Sequence, residues 1–395
     1  MKRLTMSPKI LACAISAVAA MPVFAEPSTP DLDFYGYYRT NVGTSNEGGD
    51  QMCYKAAGAR AKYRLGNECD NYYEAGVKGE LFNQNGRTFR VQTMLGGSDT
   101  SESGIGLIQA AVMGDNVIDA LPGATLWAGK LYYQRHAVAM NDFFYWNASG
   151  NAGAGIEKIS LGSDAKLAVA WIENNSGAAG DVHNNNIDVR VSNIGIAGGA
   201  LEVGATYAAP NLTDDQEAMG VADNNGSLIS LEYGFAGNTD DAYNKVVLQF
   251  GNDGMAGSTG VNDNTMEGSS VRAIAFGLVD IADNLESEYN VLFDKVEDAA
   301  GNTTTWTSVG VRPVMHWNDV ASTALEIGHD SVTSDTIADN KLTKITLAQQ
   351  WAAGDGYWAR PLVRAYVTHA KGGQIALGNG NTAGTSLGVQ AEVWW

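Results

Sequence analysis

The feature that most restricts the fold of this chain is the alternation of apolar and polar residues along many short segments. In the last segment, 387–395, one set of alternate residues is entirely apolar and consists of Leu387, Val389, Ala391, Val393 and Trp395. The residues between them are mostly polar. A period of two residues predicts a β-strand with one apolar and one polar face. A strand of a soluble sandwich and a strand in a lipid bilayer share this pattern, so the segment alone does not distinguish them.

Similar segments recur along the whole chain, separated by stretches rich in Gly, Asn and Asp that are typical of turns. We predict strands at 32–40, 71–82, 125–133, 166–173, 201–210, 227–235, 244–252, 270–281, 285–296, 305–317, 322–332, 341–351 and 359–370. Neither an amphipathic helix of ordinary length nor a domain linker interrupts them. The spacing predicts one large antiparallel sheet or two packed sheets.

The composition of the apolar faces favours a membrane over a soluble core. After Val23 no apolar run reaches the roughly 20 residues that a membrane-spanning helix needs, so the chain can enter a membrane only as strands. The apolar sets are dominated by Val, Ala, Ile and Leu, with aromatic residues at strand ends, as in "ITLAQQW" (345–351). A lipid-facing band with interfacial aromatic girdles has this composition, and a transmembrane β-barrel is the predicted fold.

The first 25 residues have the pattern of a secretory signal peptide. Basic residues, ending with Lys9, precede an apolar stretch from Ile10 to Val23, and Val23 and Ala25 occupy the small-residue cleavage positions. We therefore divide the chain into a signal peptide, 1–25, and a β-barrel, 26–395. A membrane anchor is the alternative, but the apolar stretch is short for one.

Charge and cysteine content restrict the partners and the compartment. The chain has 25 Lys and Arg against 44 Asp and Glu, a net charge of −19 that becomes −22 without the three basic residues of the signal. So acidic a chain repels nucleic acid, and we predict no nucleic-acid partner. Outside the signal the only cysteines are Cys53 and Cys69. In an exported chain such a pair predicts a disulfide, and two free thiols are the alternative.

Four aromatic residues fall on the polar faces of these segments. Alternation directs Tyr37, Tyr72, Trp358 and Trp394 inward, on the same side as charged residues such as Arg39 and Glu74. Each ring taken alone suits a filler or a girdle residue. Together with the charges they suit a ligand with apolar flat faces and a polar rim, which describes a pyranose ring.

Several long motifs resemble the maltoporin family of sugar-specific outer-membrane porins. They are "CYKAAGARAKYRLGNECDNYYE", "LPGATLWAGKLYYQRHAVAMNDFFYWNASGNAGAG", "TSVGVRPVMHW", "ITLAQQWAAGD", "YWARP" and "VQAEVWW". The resemblance implies an 18-stranded antiparallel barrel in the bacterial outer membrane, in contact with lipid and lipopolysaccharide, with the third loop folded into the lumen. It also implies a homotrimer and passive diffusion of maltose and maltodextrins along an aromatic slide flanked by a charged track.

The resemblance assigns roles to particular residues of this chain. Tyr37, Tyr72, Trp358 and Trp394 match the aromatic slide; Arg39, Arg64, Glu74, Arg135 and Asp142 match the polar track; and Cys53 and Cys69 match the disulfide of the first loop. A mid-slide phenylalanine and the aromatic residue donated by a neighbouring subunit have no counterpart. Ala137 replaces an acidic residue, Phe144 a tyrosine and Ile108 an arginine. A shorter slide and a less polar constriction predict a weaker grip on long oligosaccharides and leave the preferred sugar open.

Other functional classes are supported less well by the sequence. The five histidines form no zinc-binding pair at helical spacing and lie in no nucleophile motif, so neither an enzyme nor a cofactor is predicted. A general diffusion porin, a porin for a different oligosaccharide and a non-conducting adhesin remain alternatives. The segments "ADNNGS" and "VNDNTMEG" resemble fragments of calcium loops but do not complete the pattern. Calcium binding and a receptor role for phages or colicins also stay open.

Overall fold

The computed structural model describes residues 31–99, 104–175, 182–239, 241–373 and 382–395. The predicted signal peptide, 1–25, lies outside these residues. Within them, no helix combines the length and the hydropathy needed to cross a membrane.

Eighteen antiparallel strands form a single closed sheet, which confirms the predicted barrel. They are β1 (Asp31–Ser45), β2 (Tyr72–Gln84), β3 (Arg87–Ser98), β4 (Gly106–Asp115), β5 (Thr125–Lys130), β8 (Ala152–Ser160), β9 (Lys166–Asn175), β10 (His183–Ile196), β11 (Gly199–Pro210), β12 (Gly226–Ala236), β13 (Tyr243–Asp253), β14 (Gly268–Ala282), β15 (Leu285–Asp298), β16 (Thr303–His316), β17 (Ala321–Ser334), β18 (Asn340–Ala352), β19 (Leu362–Gly372) and β20 (Ala383–Trp394). The sheet closes because β1 pairs with both β2 and β20.

Two further short strands and two short helical turns lie in the connections. The segment between β5 and β8 contains the hairpin of β6 (His136–Val138) and β7 (Phe143–Trp146), separated by a 3₁₀ turn, Ala139–Asn141. The connection between β11 and β12 contains α1 (Asp214–Ala218). Every backbone group of a barrel strand can bond to a neighbouring strand, which is what allows a closed sheet to stand in hydrocarbon.

The two faces of the barrel follow the alternation of the sequence. On β19 and β20, Val367, Leu387 and Val389 are exposed on the outer face, whereas Thr368 and Gln390 are buried on the inner face. The apolar set of the last strand therefore faces outward, as predicted. A lipid-facing band of this kind is stabilised by the removal of each apolar side chain from water.

The terminal Trp395 is held by the first strand. Its backbone N–H and C=O each bond to Gly36 over 3.2 Å, and its ring meets that of Tyr38 edge-on with 6.4 Å between centroids. A Cβ on Gly36 would come within 2.7 Å of the Trp395 ring, so a side chain there would displace the tryptophan. The apolar end of the chain is thus part of the barrel wall.

The inner face of one half of the barrel supports an apolar core. Two connections on the same rim of the barrel, counted along that rim as the first (46–71) and the third (131–151), pack together with inward-facing wall residues; examples are Tyr54, Phe143, Tyr145, Ile274, Leu292 and Trp306. Two wall glycines make room for Tyr63, because a Cβ on Gly310 or Gly328 would lie 2.2 or 2.1 Å from its ring. These contacts fix both connections against the wall.

The first connection is also closed covalently. Cys53 and Cys69 form a disulfide across a sequence separation of 16 residues, which confirms the predicted bond over the alternative of two free thiols. Inside the closed loop, the Asn67 side chain accepts from the Tyr54 N–H at 2.6 Å and donates to the carbonyl groups of Tyr54 and Tyr63, each at 2.8 Å. These three bonds satisfy buried backbone groups of the loop that have no partner on a neighbouring strand.

The predicted strand at 359–370 begins later than expected. Residues 353–361 form a turn and β19 starts only at Leu362, so Trp358 does not lie on a strand and the alternation argument that directed it inward was wrong. Pro361 has no N–H to donate to a ladder. Similarly, the predicted strand at 125–133 ends at Lys130, where the chain leaves the wall for the third connection.

Candidate functional site

One cavity of about 520 Å³ collects most of the residues selected from the sequence. Its lining consists of Tyr37, Arg39, Arg64, Asp70, Tyr72, Glu74, Ser98, Arg135, Asp142 and Phe144. These residues come from β1, β2, β3 and the first and third connections. The structure therefore brings together all five residues assigned to the polar track and two of the four assigned to the slide, whereas Trp358 and Trp394 lie outside this lining.

Two tyrosines form the aromatic side of the cavity. The rings of Tyr37 and Tyr72 lie on adjacent strands with 6.1 Å between centroids and planes tilted by 49°. Register explains this, because Tyr37 pairs with Glu74 and Arg39 with Tyr72. The Tyr72 hydroxyl donates to Glu74 at 2.8 Å, and Arg64 donates to the Tyr37 hydroxyl at 3.1 Å. Both rings are held by polar groups at their tips, and the Arg39 guanidinium lies over the Tyr72 ring, 5.2 Å from its centroid.

Arg39 is paired with carboxylates of the first connection, and Arg64 is paired with carboxylates of the first and third connections and, at 3.5 Å, with Glu392 of β20. Arg39 lies 3.3 Å from Glu68 and 2.9 Å from Asp70, and Arg64 lies 2.8 Å from Glu68 and 3.8 Å from Asp142. Burial opposes ionisation of Asp70, but its hydrogen bonds to Arg39 and the charge of that residue outweigh burial and lower its pKa. The charges on this side of the cavity are therefore fixed and mutually compensated.

Glu74 is satisfied by phenols instead of a cation. Its carboxylate accepts from Tyr72 at 2.8 Å and from Tyr132 at 2.5 Å. Burial, reinforced by the Glu74 hydrogen bond and charge, raises the pKa of the Tyr132 hydroxyl, so this group remains a donor. Ile108 lies nearby in a β-bulge of β4. Its neighbours Gln109 and Leu107 pair with consecutive residues of β3, so Ile108 has no partner on that strand. Since Ile108 stands where the resemblance leads us to expect an arginine, the second tyrosine supplies the donor that an arginine would provide.

Arg135 differs from the other two arginines of the cavity. Its guanidinium lies 3.2 Å from the centroid of the Tyr132 ring and 4.8 Å from that of Phe144. Both are cation–π distances. Among the residues that the structure describes it forms no ion pair, and the nearby Ala137 offers no carboxylate.

The third connection is anchored to the wall behind the cavity. His136 Nδ1 lies 2.8 Å from Glu232 and Nε2 lies 3.5 Å from Glu202, while Tyr145 donates to Glu232 at 2.5 Å. The buried Arg190 donates to the Gln134 carbonyl at 2.7 Å. Burial lowers the pKa of His136, but the two carboxylates outweigh this effect and raise it above its ordinary value. Sequence reasoning missed this anchor because its partners lie on β10, β11 and β12.

Glu392 connects Trp394 to the cavity and was also missed. Its carboxylate accepts from Tyr37 at 3.1 Å, from Arg360 at 2.8 Å and from Arg364 at 2.6 Å. The Arg360 guanidinium in turn lies 4.1 Å from the centroid of the Trp394 ring. Since Glu392 belongs to the polar set of the last strand, alternation places it inward, and that was the available signal.

Trp358 lies on the turn between β18 and β19 and is in contact with Tyr357 at 4.9 Å between ring centroids. Tyr357 anchors this turn, because its hydroxyl donates to Glu288 at 2.8 Å and accepts from Arg312 at 3.3 Å. The turn thereby reaches inward-facing charges of β15 and β16. Trp358 is about one-third exposed and free to make further contacts with its ring.

The described residues include no group of three or more His, Cys, Asp or Glu side chains arranged to hold a metal ion. What the cavity offers is three aromatic rings, three arginines and three carboxylates. Such a set suits a polyhydroxylated ligand with an apolar face.

Comparison with known proteins identifies the family. The LamB porin family model matches residues 32–395, nearly the whole chain. This chain belongs to the LamB porin family. The resemblance seen in the sequence motifs is thereby confirmed, and the protein is a multi-pass porin channel of the bacterial outer membrane.

Solved structures of other porins resemble the fold at low sequence identity. OmpF of Salmonella typhi, solved in complex with daunomycin, is 12% identical with a TM-score of 0.52, covering 92% of this chain and 97% of that one. OmpT of Vibrio cholerae, in its trimer form, is 11% identical with a TM-score of 0.46 over 93% and 100% of the two chains. An anion-selective porin from Comamonas acidovorans is 12% identical with a TM-score of 0.45 over 92% and 100%.

Proposed function

We propose that this LamB-family porin is a sugar-selective channel for the facilitated diffusion of maltose and maltodextrins. The supporting observation is the cavity in which Tyr37 and Tyr72 face the charged groups of Arg39, Arg64, Glu74, Arg135 and Asp142. In this proposal the tyrosines, Trp358 and Trp394 are the slide, and the five charged residues are the polar track.

The chemistry of a glucosyl unit fits this arrangement. Its C–H face gains contact area against an aromatic ring, and its hydroxyl groups exchange hydrogen bonds with fixed charges that already have partners. Because each such contact is weak, a sugar chain can advance by trading one set of bonds for the next without a deep trap. The chain needs no energy source for this, and the net flux runs down the sugar gradient.

The slide continues from the cavity along the last strand. Tyr37 pairs in register with Trp394, and Glu392 and Arg360 bridge the two side chains. Trp358 on the neighbouring turn extends the set. On the opposite side of the cavity, Arg135, Asp142 and Phe144 come from the third connection, which we propose is the loop that narrows the channel.

The assembly and selectivity are part of the same proposal. On the resemblance to maltoporins, we propose a homotrimer embedded in lipid and lipopolysaccharide. Phe144 and Ala137 offer no polar group to a sugar hydroxyl, so the affinity for long maltodextrins is expected to be moderate. A general diffusion porin and a porin for another oligosaccharide are the competing functions, and no catalytic role is proposed.

The test is the block of ion current by sugars in planar bilayers. Maltohexaose should reduce the current of the wild-type channel in a saturable manner, and sucrose and chitohexaose should act more weakly. Tyr72→Ala removes a face of the slide and should weaken the maltohexaose block about fivefold to tenfold, the effect of losing roughly 1 kcal/mol of aromatic contact. Tyr207→Ala, an exposed residue of the outer face, is the matched control and should leave the block unchanged. Open channels that no sugar blocks would favour the general diffusion porin.

A further inference from the structure

The charges that line the cavity are unevenly paired. Arg39 has the carboxylates of Glu68 and Asp70 within 4.0 Å. Arg64 has three within the same distance, those of Glu68, Asp142 and Glu392. Arg135 lines the same cavity and has none among the residues that the structure describes. Among the described residues, one of the three cations therefore has no carboxylate within ion-pair distance.

The position of Arg135 also keeps its guanidinium from forming an ion pair with Glu74. Its guanidinium is stacked on the ring of Tyr132, and the hydroxyl of that same tyrosine donates to Glu74 at 2.5 Å. Phe144 flanks the guanidinium as a second aromatic neighbour. Two rings fix the plane of the cation, and their faces offer no acceptor for its five N–H donors.

The carboxylates of the lining already have hydrogen-bond or ion-pair partners. Asp70 accepts from Arg39 at 2.9 Å, Glu74 accepts from two phenols, and Asp142 lies 3.8 Å from Arg64. None of them forms an ion pair with Arg135, although the charge of Glu74 acts on its guanidinium from a longer distance. Burial lowers the pKa of Arg135, and the interactions of its guanidinium with Tyr132 and Glu74 offset this effect only in part. An incoming anion would relieve this cost.

We propose that the cavity also binds anionic sugars, namely oligosaccharides that carry a uronic acid, with the sugar carboxylate paired to the Arg135 guanidinium. The planar guanidinium matches a carboxylate in a bidentate pair, and the neighbouring Tyr37 and Tyr72 contact the sugar ring. This inference rests on the proposed function, since it requires that sugars enter this cavity. It adds a ligand class that a slide for neutral maltodextrins does not include.

The test compares two ligands of equal length in the same bilayer assay. One is maltotriose, and the other is maltotriose with its non-reducing glucose oxidised at C6 to glucuronate. In 0.1 M KCl the acid should block the wild-type channel about tenfold more tightly than the neutral sugar, as expected of one charge-assisted bidentate pair. In 1 M KCl the ratio should fall towards one, because salt screens the pair.

Variants assign the effect to the residue. Arg135→Gln keeps hydrogen-bond donors but removes the charge, and it should reduce the ratio of the two block constants to about one. Arg87→Gln is the matched control, because Arg87 is an exposed arginine paired with Asp119 at 2.5 Å outside the cavity, and it should retain the wild-type ratio. Arg135→Lys should give an intermediate ratio, since it keeps the charge without the planar fork.

The outcomes separate this inference from the proposed function. Saturable block by maltotriose with an acid-to-neutral ratio near one in low salt would overturn the inference and leave the neutral-sugar channel intact. Block by the acid alone would support the inference and contradict the proposed substrate. Block by neither ligand would overturn both. A ratio that stays high in Arg135→Gln would also overturn the inference, and the salt dependence of the wild type tests the charge requirement even if that variant does not insert.

Discussion

Glu392→Gln is the substitution for which the structure gives the sharpest expectation. Glu392 is almost fully buried and its carboxylate accepts three hydrogen bonds from guanidinium groups, at 3.1 and 2.8 Å from Arg360 and at 2.6 Å from Arg364. Glutamine keeps the shape of the side chain. It removes the negative charge that compensates Arg360, Arg364 and, at 3.5 Å, Arg64. One of its two terminal groups also becomes a donor that faces other donors.

The size of the effect follows from these contacts. Hydrogen bonds to charged groups contribute roughly 1.5–3 kcal/mol each, so converting three bonds between opposite charges into bonds between a guanidinium and a neutral amide should lose about 2 kcal/mol of unfolding free energy. The side chains of Arg360 and Arg364 are about one-tenth exposed, so solvent screens this loss only slightly. Release of Arg360 from Glu392 also frees Trp394, 4.1 Å away, and should weaken the maltohexaose block several-fold.

The assay is urea-induced unfolding of the barrel in lipid vesicles, followed by tryptophan fluorescence, together with the sugar-block titration. Glu297→Gln is the control, because Glu297 is about half exposed and lies 3.4 Å from Lys295. An exposed pair of this kind contributes under about 1 kcal/mol, so the control should change little. An unfolding free energy for Glu392→Gln within 0.5 kcal/mol of wild type, with an unchanged sugar block, would refute the reasoning.

Three further expectations follow from the other contacts of the site. Replacing Cys53 and Cys69 by serine should lower the unfolding free energy by about 3 kcal/mol, which is the loop-entropy value for a separation of 16 residues. In the same urea titration, wild type under reducing conditions should match the variant. Because the pKa of His136 is raised, its charged contacts with two wall carboxylates are fully present below the ordinary histidine pKa and are lost as the pH rises through the raised value. Open-channel current noise should therefore increase with pH across that window in wild type but not in His136→Gln. Phe144→Tyr adds a hydroxyl to the cavity lining and should tighten the maltohexaose block by a few-fold, measured by current titration, whereas a weaker block would mean that ring size and not polarity limits binding.

The strands that could be predicted from the sequence are those with full-sized apolar residues on their outer face. The segment 341–351 predicts β18 almost to its ends, because Ile345, Leu347 and Trp351 alternate with smaller or polar residues. The strand β8 gives a weak pattern, since its first half alternates only glycine and alanine. In β10, His183 is followed by three asparagines that suggest a loop, although Asn184 and Asn186 are fully buried on the inner face of the strand. Alternation depends on side-chain contrast, and these two strands have little of it.

The site was predictable where alternation holds and not where the chain leaves the wall. Tyr37 and Tyr72 point inward because their strands are regular, and they line the cavity as expected. Trp358 lies on a turn, where the period of two has no meaning. Glu232, which anchors the third connection, is 96 residues from His136, and no local pattern signals such a contact. Pairings of this length are set by the closure of the barrel.

The most direct test of the central claim is the flux of two trisaccharides through the purified channel in proteoliposomes. Maltotriose consists of glucosyl units that can stack in line, whereas raffinose has the same number of rings and a bent furanose end. The proposed slide predicts that maltotriose enters several-fold faster and that its rate saturates with concentration, as binding within the channel requires. Equal rates for the two sugars, rising linearly with concentration, would contradict it and would assign the protein to general diffusion.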